Sequence, residues 1–291
     1  MKILVTGGSG FLGRKVVSTF RARHDVTATY STHNLPRLIP LNLEHKEQIG
    51  RCLDAARPDV VVHTASWTDV AECEQHKDKA RQINAVATLE IARQCDAMAA
   101  RMIYISTDYV FSGRNGPYSE TDTPKPVNYY GLTKFQGERA LEILQDCAVL
   151  RIAILYGYNG PEDRKTFVTQ VLDALESGRE FRADHYRVKY PILIDDVAES
   201  IMRVAESKPC GIFHLCSSDG LTRFDWALKI AEVFGYDPGL IVKDEELEKD
   251  VFPPKPVDVR LLNNRFDFEF RSLEKGLRVM KEQMGKSSAC W

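Results

Sequence analysis

The first fourteen residues, MKILVTGGSGFLGR, constrain this chain more than any other stretch. One charged residue precedes Ile3-Leu4-Val5-Thr6, an apolar run that reads as a buried strand. The chain then turns through Gly7-Gly8-Ser9-Gly10 into a helix expected over Phe11 to Phe20. Gly7, Gly10 and Gly13 stand in a G-x-x-G-x-x-G spacing. Residues without Cβ at three such points let the chain leave the strand sharply, let backbone lie against a pyrophosphate, and let helix and strand pack closely. The helix N-terminus then presents unpaired N–H groups and a partial positive charge to the phosphates. Glycine spacing alone is weak evidence, but here it follows a strand and opens an apolar helix, which is the context a dinucleotide site requires.

Beyond the first helix the alternation repeats. Asp25 to Thr29 is a second strand, Leu38 to Leu43 a short third one, Glu44 to Ala56 a helix that stops before Pro58, and Asp59 to His63 a continuous apolar strand. Asp78 to Met98 is expected as one long helix carrying Asn84, and Met102 to Ser106 as the next buried strand. Alternating strands and helices behind a glycine-rich first turn predict an α/β, Rossmann-type doubly wound parallel sheet. Ligands then sit beyond the carboxyl ends of the strands. That brings the glycine turn, Thr64 to Asp69 (with Trp67) and Thr107-Asp108-Tyr109 around one crevice, with Trp67, Thr107, Asp108 and Tyr109 as substrate candidates. His63 is read as a hydrogen-bonded structural histidine rather than a ligand.

The end of the second strand bears on cofactor choice, because an acid there binds a ribose 2′-hydroxyl and a base accepts a 2′-phosphate. The sequence runs Tyr30-Ser31-Thr32-His33-Asn34-Leu35-Pro36-Arg37, without a carboxylate. Ser31, Thr32 and Arg37 therefore favour NADP(H), with NAD(H) as the alternative and a solvated Arg37 as the bland reading. A net charge of −2 gives no electrostatic reason to expect nucleic acid. No apolar run reaches membrane-spanning length, and the N-terminus lacks a signal-peptide pattern. Seven scattered cysteines without a C-x-x-C pair argue against disulfides and against zinc, and suggest reduced thiols in a cytoplasm.

Two later stretches carry chemistry. Ser106-Thr107-Asp108-Tyr109 ends a strand, and Asn128-Tyr129-Tyr130-Gly131-Leu132-Thr133-Lys134 opens a helix after the loop Pro117 to Pro126. Tyr130 and Lys134, four apart, share a helix face, so the ammonium is expected to lower the phenol's pKa. A phenol so tuned donates or accepts a proton at a carbonyl or alcohol, with the Thr107 hydroxyl holding the reacting oxygen. A nicotinamide would supply the hydride of a carbonyl reduction.

Taken together, the glycine turn, the Y-x-x-x-K pair and the run Leu150-Arg151 to Tyr156-Gly157 make the chain resemble an extended short-chain dehydrogenase/reductase. ISTDYVFSG (Ile105 to Gly113), GPYSETDTPKPVNYYGLTKFQGE (Gly116 to Glu138) and RPDVVVHTASWTDV (Arg57 to Val70) resemble, more closely, the dTDP-4-dehydrorhamnose reductases and their relative, the regulatory beta subunit of methionine adenosyltransferase. The resemblance is strong over residues 1 to 157 and patchy beyond. It implies Thr107, Tyr130 and Lys134 as a catalytic triad, with Asn84 assisting the lysine through a water and Lys134 also binding the nicotinamide ribose. It implies Gly7, Gly10, Phe11, Leu12 and Gly13 against the pyrophosphate and Ala65 and Ser66 near the cofactor. Asn42-Leu43 stands where the superfamily has an Asp-hydrophobic pair at the adenine, and Val70-Ala71-Glu72 where the rhamnose enzymes have Val-Asp-Lys.

The second half is expected to return to the sheet at about residues 186–216 and otherwise to form a substrate lobe over 158–291. Lys165 to Ser177 is an expected amphipathic helix, Ile194-Asp195-Asp196-Val197-Ala198 starts another, Gly211 to Cys216 is a strand and Arg223 to Phe234 a helix. Arg187 and Lys189 are candidates for a sugar nucleotide's diphosphate, with a solvated basic loop as the alternative. The R-x-x-Y-P pattern there is closer to the adenosyltransferase subunit than to the rhamnose enzymes. Lys243 to Asp250 is a charged face, Val257 to Leu262 a strand near the substrate, and residues 282–291 a frayed tail. The resemblance implies an NADPH-dependent reductase of the 4-keto group of a nucleotide-activated deoxysugar, with a homodimer by analogy. The alternatives are a cofactor-binding regulatory subunit and a reductase of another carbonyl compound.

Overall fold

A computed structural model describes residues 1–160, 165–245, 252–265 and 270–288. In chain order its first half runs β1 (Lys2–Thr6), α1 (Phe11–Arg21), β2 (Asp25–Tyr30), β3 (Ile39–Pro40), α2 (Lys46–Ala56), β4 (Val60–His63), α3 (Val70–Gln75), α4 (Lys77–Arg81), α5 (Ala87–Met98), β5 (Arg101–Thr107), α6 (Tyr129–Ala140) and β6 (Cys147–Ile152). The second half adds β7 (Leu155–Tyr156), α7 (Phe167–Glu176), β8 (Phe181–Ala183), β9 (Val188–Lys189), β10 (Ile192–Leu193), α8 (Ile194–Ser207), β11 (Gly211–Leu215), β12 (Leu221–Thr222), α9 (Arg223–Phe234), β13 (Ile241–Lys243) and α10 (Leu273–Ser288).

The main sheet has seven parallel strands in the order β11-β6-β5-β4-β1-β2-β3. The order reverses between β1 and β4, which opens the crevice at their carboxyl ends. Ile3, Leu4 and Val5 are wholly buried because helices cover both faces. On one face Val16, Val17 and Phe20 of α1 meet Val197, Ile201 and Val204 of α8. On the other, Ile49 and Leu53 of α2 meet Ile91 and Cys95 of α5. A third core lies under the smaller lobe, where Val171 and Leu172 of α7, Trp226 and Ile230 of α9 and Leu277 of α10 pack together. Truncating such a buried aromatic as Phe20 to alanine costs about 3–5 kcal/mol.

Several boundaries differ from the sequence expectation, each for a local reason. Only Ile39 and Pro40 of the expected third strand pair with β2, and both are exposed. That is where an edge tolerates a proline, and Leu41 and Leu43 turn inward to pack on α2 instead. The long helix expected over Asp78 to Met98 is broken by a π turn at Gln82–Val86 that contains Asn84. α7 starts at Phe167 because Thr166 caps it, exchanging hydrogen bonds with Thr169 in a capping box. Val257 to Leu262 is not a strand; Asp258 bridges Val188 and Leu261 bridges Tyr118 singly. The tail expected from residue 282 is corrected too, since α10 continues to Ser288 and Gln283 donates to Asp195 at 3.0 Å. Of the charged run, Lys243, Asp244 and Glu245 are described, while 246–250, Cys290 and Trp291 lie outside the described residues. No described helix is long and apolar enough to cross a membrane.

Candidate active site

The glycine turn leaves β1 with Gly7 at φ +70°, a left-handed conformation that L side chains rarely adopt. A Cβ on Gly7 would stand 2.8 Å from the Ala65 backbone, and one on Gly13 only 2.0 Å from the Gly7 carbonyl oxygen. No side chain caps the N-terminus of α1, so its first N–H groups face the crevice without a protein cap. This is a cradle shaped for a dinucleotide pyrophosphate, and the residues present fit NADP(H) or NAD(H).

Beyond the turn opens a cavity of about 570 Å³. Gly7, Gly10, Phe11, Leu12 and Gly13 line its floor, with Thr64 and Ser66 from the end of β4 beside them. Thr107, Asp108, Tyr109, Tyr130 and Lys134 form one wall. Thr166, Phe167, Gln170, Lys189 and Arg223 of the smaller lobe complete the lining.

The chemistry-bearing groups are closely tied. Tyr130, on the first turn of α6, shares a side-chain hydrogen bond with Thr107, and its ring lies edge-on to Tyr109 at 5.9 Å. Thr107 donates its Oγ1 hydrogen to Asp108 Oδ1 at 3.1 Å and accepts from Tyr109 N at 3.2 Å. Burial raises the Asp108 carboxyl to about 6, against the opposing pull of Lys189. Burial also holds the Tyr130 phenol above its ordinary value, the Thr107 bond working the other way.

Lys134 is anchored beneath this wall. It is buried, donates Nζ to the Ile105 carbonyl at 2.7 Å, and stands 4.1 Å from the centroid of the Tyr104 ring. Burial pulls its pKa to about 7, with Glu138 opposing. The largest influences on Tyr130 beside burial are Thr107, Asp108, Cys73 and Tyr109.

Asn84 is likewise occupied. Its Oδ1 accepts from Ser66 Oγ at 3.0 Å and from Trp67 N at 2.8 Å, while Nδ2 donates to Trp67 O and Thr133 Oγ1. The side chain thus fastens the loop after β4 to α6. The π turn that carries it is a common device for aiming one side chain out of helical register. His63 is structural, as its position suggests: it accepts from Thr6 Oγ1 at 2.6 Å, donates to Thr88 Oγ1 at 3.1 Å, and is pulled to about 3 by burial.

Comparison with known proteins agrees with this architecture. The family model described as RmlD substrate binding domain matches residues 1–280. The chain belongs to that family. It is similar to methionine adenosyltransferase 2 subunit beta of Mus musculus, 34% identical over 242 residues, 80% of this chain and 72% of that one. It is similar to a probable low-salt glycan biosynthesis reductase of Haloferax volcanii, 33% identical over 248 residues and 83% of each chain. Among solved structures it resembles a hypothetical dTDP-4-dehydrorhamnose reductase from Sulfolobus tokodaii with TM-score 0.84 and 32% identity, covering 95% of this chain and 99% of that one. The RmlD-family chain therefore carries the extended short-chain dehydrogenase/reductase fold.

Other expected site residues of this RmlD-family chain fall outside the cavity wall. Ala65 backs Gly7, and Trp67 stacks on His76 at 6.1 Å with the Lys79 ammonium 4.8 Å from its ring. Ser31, Thr32 and Arg37 are exposed on the loop after β2. Asn42 accepts from Glu44 N at 2.9 Å, and Leu43 is buried in the core beneath α2. Arg187 is enclosed and pairs with Asp184 at 2.9 Å, so it is Lys189 and Arg223 that face the cavity. Arg223, Gln170 and Thr166 carried no sequence signal, because only the folding of the lobe brings them to the cavity that Thr107 lines. Glu138 and Arg151, which pair behind Lys134, could have been flagged by the Tyr130, Lys134, Glu138 spacing of i, i+4, i+8.

Proposed function

We propose that the protein is an NADPH-dependent reductase of the 4-keto group of a nucleotide-activated deoxysugar. The observation that carries this reading is the meeting of Thr107, Tyr130 and Lys134 with an unobstructed glycine cradle on the wall of one cavity. The relatives that bear a reductase name support it. A nicotinamide held over this cradle would supply the hydride to the carbonyl carbon. Tyr130 donates its proton to the carbonyl oxygen, which Thr107 positions alongside it. Once the proton has left, the Lys134 cation stabilises the phenolate and hydrogen-bonds the ribose. Gly7, Gly10, Phe11, Leu12 and Gly13 lie against the pyrophosphate, with Ala65 and Ser66 beside it. Ser31, Thr32 and Arg37 meet a 2′-phosphate, with NADH as the alternative cofactor, and Asn42 and Leu43 border the adenine. Asp108, Tyr109 and Trp67 border the sugar. Lys189 and Arg223 take the diphosphate, a task for which Arg187 is committed elsewhere. The smaller lobe, residues 158–291 apart from the returning α8 and β11, serves the substrate.

A second reading is favoured by one observation, the identity to methionine adenosyltransferase beta subunits: a cofactor-binding regulatory subunit that docks on a metabolic enzyme. The test is NADPH oxidation by purified protein with a dTDP-4-keto-6-deoxyhexose, beside Tyr130→Phe. Turnover by wild type that the variant lacks supports the reductase. NADPH binding without turnover on several keto-sugars rejects it in favour of the docking subunit.

A further inference from the structure

Glu138 stands one helical turn beyond Lys134 and two beyond Tyr130, so the three project from one face of α6. Its carboxylate is enclosed and clamped from two strands. Arg151 of β6 donates Nε to Oε1 at 3.0 Å and Nη2 to Oε2 at 2.8 Å, a fork on a fork. Ser106 of β5 donates Oγ to Oε1 at 2.5 Å. Arg151 also donates to His214 Nε2 at 3.4 Å, whose Nδ1 donates to the Leu262 carbonyl. Ser106, Arg151 and His214 lie in one register row across β5, β6 and β11. Stability alone is a poor account of such a buried pair, since apolar residues of similar volume commonly serve as well. What the pair does accomplish is to fix a negative charge one turn from the Lys134 ammonium.

We infer that Glu138, clamped by Arg151 and Ser106, is a positioning residue that holds the counter-charge keeping Lys134 cationic in its enclosed pocket. Beyond the Glu138–Arg151 pair, three titratable groups packed around the lysine are neutral. His63 on β4 is pulled down to about 3, and Tyr104 on β5 and Tyr130 on α6 are pushed up by burial. Asp108 is engaged with Thr107 and faces Lys189. Among the described residues Glu138 is the group that opposes the burial of Lys134. The purpose, a cation beside the phenolate and the ribose, rests on the reductase reading; the charge coupling itself does not.

The experiment therefore reads the lysine directly. Lysine Cε is ¹³C-labelled in the full chain, and the Lys134 resonance is assigned by its loss in Lys134→Arg. It is titrated without ligand in wild type, Glu138→Gln, and the double variant Glu138→Gln/Arg151→Gln. The double variant leaves no lone buried guanidinium and keeps the test alive should the single one unfold. The expected result is a Lys134 midpoint lowered by about one pH unit in Glu138→Gln and by less in the double variant. NADPH affinity should fall away at correspondingly lower pH. Unchanged midpoints in the variants that fold would overturn the inference, whatever substrate wild type does or does not turn over. A shifted midpoint beside absent turnover would instead sink only the reductase reading.

Discussion

Replacing Lys134 with methionine should make the unliganded protein more stable at neutral pH, and the gain should shrink as pH rises. The lysine's ordinary pKa is 10.5, and burial brings it to about 7 in the fold. Below pH 7 both folded and unfolded chains carry the proton, so the folded state bears the whole burden of an enclosed cation. Between about 7 and 10.5 the unfolded chain binds more protons, so stability rises with pH as that burden is relieved. The gap amounts to about 5 kcal/mol near pH 6.5 and about 1 kcal/mol near pH 9.5. Methionine fills a similar volume but gives up the hydrogen bond to the Ile105 carbonyl, a loss of about 1 kcal/mol. The expected net gain is therefore about 3–4 kcal/mol near pH 6.5 and close to nothing near pH 9.5. Urea unfolding of both proteins at the two pH values, followed by circular dichroism, measures the difference. A variant less stable than wild type near pH 6.5, or a gain independent of pH, would refute the argument that burial is what lowers this lysine.

Three further outcomes rest on particular contacts. Gly13→Ala forces a Cβ to 2.0 Å from the Gly7 carbonyl, so the turn must open; NADPH affinity measured by fluorescence should fall by about 100-fold or more. Lys189→Ala and Arg223→Ala should raise KM for the nucleotide sugar about tenfold each while leaving the affinity for NADPH unchanged, whereas Arg187→Ala should lower Tm by breaking the buried pair with Asp184. Thr166→Ala removes the capping box of α7 and should cost about 1 kcal/mol in urea unfolding; a change below the error of the fit would show that the cap is idle.

The doubly wound sheet was legible because its signals are local: each parallel strand is a short apolar run, and the first glycine turn punctuates strand and helix within fourteen residues. The co-location of Thr107, Tyr130 and Lys134 was legible for the same reason, since strand ends and a helix four-spacing need no knowledge of the lobe. What the lysine touches was not. Whether its ammonium reaches a phenol or a backbone carbonyl depends on how closely α6 packs over Tyr104 and Ile105, which no spacing encodes. Arg187 and Lys189 are two apart in sequence, so a strand would send both the same way. Arg187 instead lies at the turn before β9, where Asp184 Oδ1 accepts its backbone N–H and Oδ2 its guanidinium. The π turn at Asn84 is set by long-range bonds to Ser66, Trp67 and Thr133, so helical propensity alone predicts an unbroken helix.

The wall that holds Thr107 also argues against elimination as the chemistry of this cavity. Removing water from a sugar calls for one group to take a proton and another to give one to the departing hydroxyl, both poised near neutral pH. Asp108, raised to about 6, is suited to one of those tasks. The next position along the strand end is Tyr109, a phenol that burial pushes up to about 12, and not the second carboxyl that the other task calls for. Reduction makes a smaller demand, one proton delivered to one oxygen, and Tyr130 with its hydrogen bond to Thr107 meets it. Replacing Tyr109 with glutamate would add the second carboxyl while keeping Thr107, Tyr130 and Lys134, at the loss of the ring contact to Tyr130. If the reasoning holds, that variant gains measurable water loss from a 4-keto-sugar substrate, followed as a new enone absorbance, while reduction slows. Elimination already present in wild type at a rate matching reduction would show that Asp108 manages both transfers, and that a single acid on this wall does not exclude the chemistry.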